Sequence, residues 1–543
     1  MSAMTGTDTT AVDGASLIRD GKAHLGIEFG STRIKAALVD ADGRLLGSGA
    51  HDWENRYVEQ NWTYGLDEVW GGLQTCVAAL QTDVEARWGV HLERLGGLGI
   101  SAMMHGYLAF DAQGEQLVDF RTWRNTYTTT AAARLTQAFG QNIPLRWSVS
   151  HLLHAVLEGE EHIERLDHIT TLAGYVHWKL TGRKVLGVGD ASGVFPIDSA
   201  TGSYDATMVA AFDALPEVAQ MPWKIGDLLP QVLPAGADAG SLTDEGARLL
   251  DPSGSLQAGA PVAPPEGDAG TGMVATNSIR PGTGNVSAGT SAFAMVVLDR
   301  ELTGIREEID LVTTPAGDPV AMIHTNNCTG DLDAWLGMLG ELPALMGLEV
   351  DREEFYRRLF GHALEAPADC DGLLSYNYLS GEHQTGVATG RPLFLRGQDS
   401  GLKLASFMRA QLNAAFAALA CGMKVLLEQE KVPLTSLFAH GGIFRTEGVA
   451  QQVLADALNT PVAVGDTAGE GGAWGMAVLA AFTALPEAER GAGLAGYLEE
   501  RVFSDAQVTT RDPEAEGVAG YASWLERYQA GLAVERLAGE VLA

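Results

Sequence analysis

The sequence predicts an α/β protein built from two large domains. Its 543 residues exceed what one compact core usually organises. In the first half, short apolar runs typical of strands precede an amphipathic helix over residues 66–88, the element order of α/β folds. The second half begins again with a strand, a Gly-Thr-Ser turn and a strand, which repeats the pattern around Gly30-Ser31-Thr32.

The predicted elements follow the apolar pattern of each half. An Asp-Gly turn at residues 42–43 joins two apolar runs, a common signature of a β-hairpin. The first half contains predicted strands at 24–29, 34–39, 45–49 and 95–101 and a helix at 66–88. The second half contains predicted strands at 284–290, 292–298 and 437–440 and a helix at 405–430.

The domain boundary is expected near Arg280, after the Pro-, Ala- and Gly-rich residues 258–265. The prediction comprises a disordered tail at 1–22, an N-terminal domain at 23–280 and a C-terminal domain at 281–543. The region after Val502 carries Trp524 and Tyr528 at helical spacing, so we expect a C-terminal helix there.

The composition excludes several classes of partner. The formal net charge is −33, from 69 acidic and 36 basic residues, so nucleic acid and anionic membranes would be repelled. A polyanionic ligand would therefore need local devices such as backbone N–H groups, helix N-termini or a metal ion. The partners expected are therefore small molecules.

The chain shows no targeting segment. Its apolar runs are interrupted well before the roughly 20 residues that span a bilayer. The first 21 residues lack both a basic and an apolar stretch, which indicates a cytoplasmic protein. The cysteines are far apart and are expected to be buried free thiols: Cys76, Cys328, Cys370 and Cys421.

The first motif is the Gly30-Ser31-Thr32 turn with its flanking charges. Such a turn can offer N–H and O–H donors to a phosphate between two strands. Lys35 would supply a point charge for a terminal phosphate, and Glu28 would position Mg2+ through water. Taken alone, the pattern is also that of an ordinary hairpin.

The second motif, Gly289-Thr290-Ser291, has the same chemistry in the second half. One donor-rich turn is weak evidence for a phosphate site. Two such turns, each opening one half of the chain, favour a nucleoside triphosphate such as ATP held by both.

The third motif is Gly441-Gly442, which follows a predicted strand and precedes Gln451. Adjacent glycines let the backbone approach a flat ligand closely, as a nucleotide base or ribose requires. A simple strand-to-helix turn would look the same. The small residues at 469–475 were expected to pack near the same ligand.

In their order along the chain, these motifs resemble those of the FGGY family of sugar kinases. The resemblance covers residues 24–482 and places the chain in the wider group with the actin/hexokinase-type ATPase fold. It implies two ribonuclease-H-like domains around a cleft that holds ATP and a sugar or polyol. It also makes a homodimer plausible.

The resemblance also implies a catalytic base. The family's base lies in a Gly-Asp pair at the end of the first domain, which corresponds to Gly267-Asp268. Phosphoryl transfer requires a carboxylate within hydrogen-bond reach of the attacking hydroxyl. An Asp after Gly is also a common helix N-cap, so the alternative is that Asp268 caps the helix that it precedes.

Two further segments are implied to face the substrate. Met104-His105-Gly106 is similar to the segment by which xylulokinase-like members hold a ketose. Trp123-Arg124-Asn125 occupies the place of the family's Trp-x-Asp-x-Arg segment.

Two departures from the family pattern concern the metal and the substrate. Glu28 replaces the usual Asp of the first strand and keeps its charge on a longer side chain. Asn125 and Tyr127 replace the usual Asp and Arg, so the match does not identify the sugar.

The function implied is transfer of the γ-phosphoryl group of ATP to a hydroxyl of a ketose, with a pentulose such as xylulose favoured, or of a polyol. The alternative is a nucleotide-binding regulator of the same fold that has lost sugar phosphorylation, which the changes at Glu28 and Asn125 favour. An ATPase that drives a conformational change is a related alternative. A carboxylate-pair hydrolase is disfavoured, because no second pair of acids is placed around a common site.

Overall fold

The computed structural model describes residues 13–465 and 471–542. The chain divides into two compact units. The first comprises Met1–Asn277, Thr313–Gly317 and Gly469–Asp505, and the second comprises Ser278–Val312, Asp318–Ala468 and Ala506–Ala543.

The strands and helices were assigned from backbone geometry. The strands are β1 His24–Phe29, β2 Arg33–Val39, β3 Leu45–Asp52, β4 Arg56–Val58, β5 Asn61–Thr63, β6 Gly97–Ala102, β7 Leu108–Phe110, β8 His168–Thr170, β9 Val185–Gly187, β10 Ile197–Asp198, β11 Ser203–Tyr204, β12 Gln231–Leu233, β13 Glu266–Gly267, β14 Thr283–Ala288, β15 Ala292–Val297, β16 Asp310–Thr313, β17 Pro319–Thr325, β18 Leu374–Tyr376, β19 Leu393–Leu395, β20 Ser436–His440, β21 Val462–Gly465 and β22 Val508–Arg511. The helices are α1 Gly14–Arg19, α2 Leu66–Trp88, α3 Thr129–Phe139, α4 Ser148–Glu158, α5 Leu172–Thr181, α6 Val188–Ala191, α7 Ala206–Asp213, α8 Ile225–Leu228, α9 Asp244–Leu250, α10 Asp268–Ala275, α11 Gly330–Leu345, α12 Arg352–Ala363, α13 Leu404–Lys424, α14 Val449–Leu458, α15 Gly471–Ala484, α16 Gly493–Tyr497 and α17 Ala515–Val541.

The first unit contains a five-stranded sheet in the order β13-β6-β1-β2-β3. Strands β1, β2 and β3 are antiparallel neighbours, whereas β13, β6 and β1 run parallel. The carboxyl ends of parallel strands meet at one edge of a sheet, which is where α/β proteins usually bind ligands.

The second unit contains a seven-stranded sheet in the order β16-β17-β15-β14-β20-β21-β22. Its strands β14, β15 and β17 are antiparallel neighbours, and β14, β20 and β21 run parallel. Each unit therefore starts with an antiparallel meander whose first strand also pairs with a parallel strand. This confirms the repeat that the sequence predicted.

Helix α2 occupies the predicted residues because both of its ends are marked by glycine. Gly65 precedes it, and Gly89 ends it with φ +63°, a left-handed conformation that suits glycine. A Cβ on Gly49 would lie 2.4 Å from the carbonyl oxygen of Cys76, so this glycine lets the helix pack closely on β3. The buried face of α2 consists of Val69, Gly72, Leu73, Cys76, Val77, Leu80 and Val84.

The N-terminal tail differs from the prediction. Residues 14–19 form α1, in which Ala15 and Ile18 are buried in the core. The Asp13 side chain caps this helix by accepting a hydrogen bond from the Ala15 amide. The prediction of disorder over residues 1–22 is therefore wrong for α1, whereas residues 1–12 lie outside the described residues.

The predicted domain division also needs correction. The sequence assigned all of residues 281–543 to the second domain, but Thr313–Gly317 and Gly469–Asp505 belong to the first unit. The reason is that α15 packs on β1, β2 and β6. A Cβ on Gly26 of β1 would lie 2.1 Å from the Ala473 carbonyl oxygen, so the helix and the strand are in close contact.

Among the described residues, the helical segment Leu404–Gln429 is long and apolar enough to cross a membrane. The sequence had indicated that every apolar run is too short for this. It consists of α13 and a π-helical turn at Val425–Gln429. The share of its apolar window that is buried inside the protein is 89%. A core helix of a globular protein has the same length and composition, and α13 lies in the core of the second unit.

Helix α17 confirms the expected C-terminal helix. Trp524 and Tyr528 are fully buried in the core of the second unit. The Trp524 indole donates to the Leu373 carbonyl at 3.0 Å, and the Tyr528 hydroxyl donates to the Tyr378 hydroxyl at 2.7 Å. The helix is therefore an integral part of this unit.

Candidate active site

The parallel strands of the first unit bring three polar residues into register. Glu28 of β1 pairs with Ser101 of β6, and Ser101 pairs with Glu266 of β13. Two residues after Glu266, Asp268 begins α10 at the carboxyl edge of the sheet. The position that the family resemblance gave to the base is thus at the ligand-binding edge of this sheet.

Asp268 is a half-buried carboxylate in a fixed position. Its Oδ1 accepts hydrogen bonds from the backbone amides of Met104 at 3.1 Å and Ala269 at 2.9 Å. Burial raises the pKa of Asp268 to about 6, and these two amides oppose the rise. A carboxylate with this pKa is ionised at neutral pH and is basic enough to accept a proton.

Glu28 lies beside Asp268 and opposite Lys35. Lys35 is its direct neighbour on the antiparallel strand β2. Burial raises the pKa of Glu28 to about 7; Lys35 lowers it, Asp268 raises it, and a hydrogen bond from the Ala473 amide lowers it. The Glu28 carboxyl group is therefore only partly ionised at neutral pH, and a bound cation would favour its ionised form.

The start of α15 lies against Glu28. A Cβ on Gly472 would lie 2.4 Å from Glu28 Oε1 and 2.8 Å from Thr271 Oγ1, so only glycine fits there. A Cβ on Gly471 would lie 3.7 Å from Lys35 Nζ. The small residues of this run thus pack in the first unit, and residues 469–470 lie outside the described residues.

The turn Gly30-Ser31-Thr32 is held from one side by two aromatic residues. Trp53 donates its indole N–H to the Gly30 carbonyl at 2.7 Å, and its backbone amide donates to the Thr32 carbonyl at 3.1 Å. The Tyr64 hydroxyl donates to the Ser31 carbonyl at 2.6 Å. In a trans peptide the N–H points opposite to the C=O, so the following amides point away from these aromatic rings.

The predicted substrate segment, Met104-His105-Gly106, contacts both Asp268 and Trp147. Met104 supplies the amide that binds Asp268, and His105 and Gly106 both have positive φ angles. His105 Nδ1 lies 3.3 Å from the Gly193 carbonyl oxygen, and its ring is stacked on Trp147 at a centroid distance of 6.3 Å. The predicted segment therefore adjoins Asp268.

In the predicted segment Trp123-Arg124-Asn125, the last two side chains contact Trp62. Asn125 Oδ1 accepts from the Trp62 amide at 2.8 Å, and Nδ2 donates to the Trp62 carbonyl at 2.9 Å. The Arg124 guanidinium lies 3.6 Å from the centre of the Trp62 ring, and Trp123 is half-buried. Both functional groups of the Asn125 amide bind the Trp62 peptide, and contact of Asn125 with the substrate stays a prediction.

Two buried carboxyl groups that the sequence did not single out lie near Asp268. Glu266 accepts hydrogen bonds from the Gly189 amide at 3.3 Å and the Asp190 amide at 2.9 Å. Asp190 Oδ2 accepts from the Thr171 hydroxyl at 2.6 Å. A Cβ on Gly267 would lie 3.4 Å from Asp190 Oδ1, so this oxygen faces the residue that precedes Asp268.

Burial governs the charge of this pair. Burial raises the pKa of Glu266 to about 8 and that of Asp190 to about 7. Asp190 Oδ1 is buried and has no hydrogen-bond partner within the described residues. The sequence could have indicated Glu266, because it lies two residues before Asp268. Nothing in the sequence indicated that Asp190 lies next to Glu266.

Several unpaired polar atoms lie in the same region of the first unit. Within the described part of the chain, these buried atoms lack hydrogen-bond partners: Arg121 Nη1, Thr122 Oγ1, Trp147 Nε1 and both ring nitrogens of His151. Burial lowers the pKa of His151 to about 3, so its ring is neutral. Most of these groups are donors, which suits a ligand rich in oxygen.

In the second unit, the turn Gly289-Thr290-Ser291 borders a cavity of about 610 Å³. Gly289 lines this cavity together with Gly442, and Gly289 and Thr290 are exposed to solvent. A Cβ on Gly441 would lie 2.0 Å from the Ala288 carbonyl oxygen, and Gly441 has φ +122°. The two predicted glycine motifs therefore meet, because the parallel strands β14 and β20 end beside each other.

The cavity has the size and lining of a small-molecule site. Its wall combines apolar, acidic and basic side chains: Leu332, Asp333, Leu336, Asp351, Glu353, Glu354, Tyr356, Arg357, Phe360, Ile443 and Arg445. Arg357 pairs with Glu354 at 2.6 Å. The cavity is large enough for a nucleoside, and the exposed turn lies at its border.

Gln451 does not contribute to this cavity. Its Nε2 donates to the Val462 carbonyl at 2.7 Å and to the Thr509 carbonyl at 2.8 Å. It therefore joins β21 to β22, and nucleotide contact by Gln451 stays a prediction. The side chain is buried because it satisfies two backbone carbonyls inside the unit.

The Mg2+ site stays a prediction, whereas the prediction of free thiols is confirmed. Among residues 13–465 and 471–542, no group of three or more His, Cys, Asp and Glu side chains could hold a metal ion. Mg2+ usually binds one or two carboxylates together with substrate phosphates, and Glu28 offers such a carboxylate. The four cysteines are free, as predicted; three are buried and Cys421 is half-buried.

Comparison with known proteins gives one family for both halves of the chain. The model of the N-terminal domain of the FGGY family of carbohydrate kinases matches residues 23–274. The model of the C-terminal domain of that family matches residues 284–484.

Individual relatives are distant. A xylulose kinase from Bacillus subtilis is 24% identical over 485 residues, which cover 84% of this chain and 87% of that protein. A glycerol kinase from Symbiobacterium thermophilum is 25% identical over 54% of this chain, a match that spans only 57% of that protein. The crystal structure of xylulose kinase from Rhodospirillum rubrum has a TM-score of 0.74 and 21% identity, and covers 94% of this chain and 98% of that one. The fold is thus the two-domain actin/hexokinase-like fold.

Proposed function

Because the chain belongs to the FGGY family of carbohydrate kinases, we propose that it transfers the γ-phosphoryl group of ATP to a hydroxyl of a sugar. The acceptor proposed is a ketose, with a pentulose such as xylulose favoured, or a polyol. The observation that carries the proposal is Asp268, a half-buried carboxylate held by the Met104 amide at the carboxyl edge of the first sheet.

In this proposal Asp268 is the general base. Its carboxylate accepts the proton of the acceptor hydroxyl, and the hydroxyl oxygen forms a bond to the γ-phosphorus. The bond from that phosphorus to the oxygen it shares with the β-phosphorus breaks, and ADP leaves. The pKa of about 6 favours this role, because the group is ionised at pH 7 and still basic enough to take a proton.

The nucleotide is assigned to the cavity of the second unit. The glycines Gly441 and Gly442 leave room for a base or ribose, and the amides at Thr290 and Ser291 offer donors to phosphate oxygens. In the first unit, the turn Gly30-Ser31-Thr32 and Lys35 are proposed to meet the terminal phosphate. These local donors allow a chain of net charge −33 to bind a polyanion.

Glu28 is the proposed Mg2+ residue, acting through water. When bound, Mg2+ would neutralise charge on the phosphates. Burial raises the pKa of Glu28 to about 7, so a nearby cation is what would keep its carboxyl group ionised.

The acceptor is assigned to the region around His105 in the first unit. His105 and Met104 adjoin Asp268, and buried donors such as Trp147 Nε1 and Arg121 Nη1 have no hydrogen-bond partner among the residues that the structure describes. A ketose or polyol offers several oxygens to such donors. The likeness to proteins described as xylulose kinases favours a pentulose among these acceptors.

One observation favours the alternative of a nucleotide-binding regulator without sugar phosphorylation. The pKa of Glu28, at about 7, leaves this carboxyl group partly protonated at neutral pH, which weakens its hold on a metal ion. A regulator would bind nucleotide but show no acceptor-dependent turnover.

ADP release tests the choice between these functions. Purified protein with Mg-ATP is assayed against pentuloses, hexuloses, tetruloses and polyols. The kinase proposal predicts strong stimulation of ADP release by one class of acceptor and a phosphorylated sugar in equal amount. Nucleotide binding without stimulation by any acceptor would favour the regulator, and ADP release without any acceptor would indicate an ATPase.

A further inference from the structure

The segment Asn326–Thr329, between β17 and α11, holds the Gly289-Thr290-Ser291 turn from one side. The Cys328 amide donates to the Thr290 carbonyl at 2.9 Å, and the Thr329 amide donates to the Gly289 carbonyl at 3.0 Å. Because N–H and C=O point in opposite directions across a trans peptide, the amides of Thr290 and Ser291 point away from this segment. The segment thereby sets the direction of the donors proposed to meet phosphate.

Glu382 fixes this segment in turn. Its side chain is fully buried, and its Oε2 accepts from the backbone amides of Asn326 at 2.8 Å and Asn327 at 3.2 Å. The same oxygen accepts from the Asn327 side-chain amide at 3.1 Å. Burial raises the pKa of Glu382, and the hydrogen bonds from Asn327 and Asn326 oppose the rise. The single oxygen Oε2 accepts from two successive backbone amides and so orients both peptide planes.

The residues around Glu382 enclose the segment further. Asn327 Oδ1 accepts from the Leu379 amide at 3.0 Å and the Ser380 amide at 3.1 Å. The Asn377 side chain donates to the Cys328 carbonyl at 2.8 Å. The chain from Asn377 to Glu382 therefore binds the segment on several sides, with the carboxylate as its charged member.

The first unit holds its own turn in a comparable way. Trp53 and Tyr64 donate to the carbonyls of Gly30 and Ser31, so that the following amides face the opposite direction. Both turns thus have their carbonyls bound from one side. In the second unit the donors are the backbone amides of Cys328 and Thr329. The segment that carries these amides must itself be fixed by other side chains.

We propose that Glu382 is a positioning residue for phosphate binding by the turn Gly289-Thr290-Ser291. It acts through residues 326–329 and does not itself touch the nucleotide. The inference rests on the proposed function, because that function assigns the nucleotide to the adjoining cavity. Glu382 lies far from both glycine motifs in sequence. Its loss is expected to weaken the binding of phosphate groups and not the binding of the nucleoside.

Calorimetric titration of adenosine and Mg-ADP into the full chain tests this inference. In Glu382→Ala the segment loses its anchor, so the affinity for Mg-ADP is expected to fall by about tenfold or more, as the loss of one charge-assisted hydrogen bond would give. The affinity for adenosine is expected to remain within about twofold, since Gly441 and Gly442 do not depend on Glu382.

Glu430→Ala is the matched control. Glu430 is also a buried carboxylate of the second unit, and it accepts from the Thr303 amide at 2.9 Å and from Arg306 Nε at 2.6 Å. Neither partner lines the described cavity. This variant is expected to bind both adenosine and Mg-ADP as the wild type does.

Glu382→Gln serves if Glu382→Ala does not fold. Its amide retains one oxygen that can accept from Asn326 and Asn327 but loses the charge, so a selective loss of about threefold in Mg-ADP affinity is expected. Equal losses for adenosine and Mg-ADP, or no loss for either, would overturn the positioning role. A wild type that binds neither ligand would instead overturn the proposed nucleotide site itself.

Discussion

The indole of Trp53 donates a hydrogen bond of 2.7 Å to the carbonyl of Gly30. The Trp53 ring is also stacked on Tyr64 at a centroid distance of 4.1 Å. This contact fixes the peptide between Gly30 and Ser31, and with it the amide that is proposed to face the terminal phosphate.

Trp53→Phe is expected to weaken phosphate binding and to lower stability. Phenylalanine keeps an aromatic ring but cannot donate to Gly30, so KM for ATP is expected to rise about five- to tenfold while stability falls by about 1 kcal/mol. Trp88→Phe is the control, because Trp88 donates to the Leu46 carbonyl at the same distance of 2.7 Å, away from the turn. Steady-state kinetics and urea unfolding measure both effects, and an equal rise of KM in the two variants would contradict the prediction.

Gly472→Ala is expected to disable the site. The added Cβ would lie 2.4 Å from Glu28 Oε1, so the carboxylate must move, and kcat is expected to fall at least about tenfold. Gly71→Ala is the control, since a Cβ there has open space and stabilises the exposed surface of α2 by about 0.5–1 kcal/mol. Normal activity in Gly472→Ala would show that Glu28 is not needed in its present position.

The pH dependence of kcat/KM is expected to have an acidic limb near pH 6. Burial raises the pKa of Asp268 to about 6, and only the ionised carboxylate can accept a proton. Activity should therefore fall as the pH falls through 6. A limb near pH 4, the ordinary range of Asp, would contradict the environment described for this residue.

Glu266→Gln is expected to gain stability relative to the wild type as the pH rises. Burial raises the pKa of Glu266 to about 8, above its unfolded value, so the native state holds a proton that the unfolded state has lost. The stability contribution of this group is therefore complete below the unfolded pKa and is lost as the pH rises toward 8. Urea unfolding at pH 5 and pH 8 measures the difference; a difference independent of pH would contradict the raised pKa.

Trp524→Ala is expected to destabilise the second unit by about 3–5 kcal/mol, the usual cost of emptying a large buried site. Trp524 is fully buried and its indole donates to the Leu373 carbonyl. Leu537→Ala, on the exposed face of the same helix at 56% exposure, should cost less than about 1 kcal/mol. Thermal unfolding of both variants checks this, and similar losses would show that the helix is not part of the core.

Local signals explain which elements the sequence could predict. Helix α2 begins and ends at the predicted residues, because it is amphipathic and lies between Gly65 and Gly89. The glycine turns were found because their residue types are rare outside tight turns. The placement of α15 in the first unit could not be predicted, since it depends on contacts with strands more than 400 residues earlier.

Chemistry and family pattern agree in predicting Asp268 and Met104 as site residues. Asp268 and Met104 lie together as that pattern implies. The amides of Asn125 and Gln451 bind backbone groups, which the sequence did not reveal, because a sequence does not show which partners an amide finds. The buried acids Asp190 and Glu382 were missed for the opposite reason: acidic residues are usually exposed, and only the folded chain shows the amides around them.

The most direct test of the account is the activity of Asp268→Asn with the acceptor that the panel identifies. The asparagine keeps the size of the side chain but cannot take up the hydroxyl proton at neutral pH. The account predicts a loss of at least about a hundredfold in kcat, with nucleotide affinity unchanged, when phosphorylated sugar is quantified by mass spectrometry. Sugar phosphorylation at the wild-type rate in Asp268→Asn would contradict the central claim that Asp268 is the base.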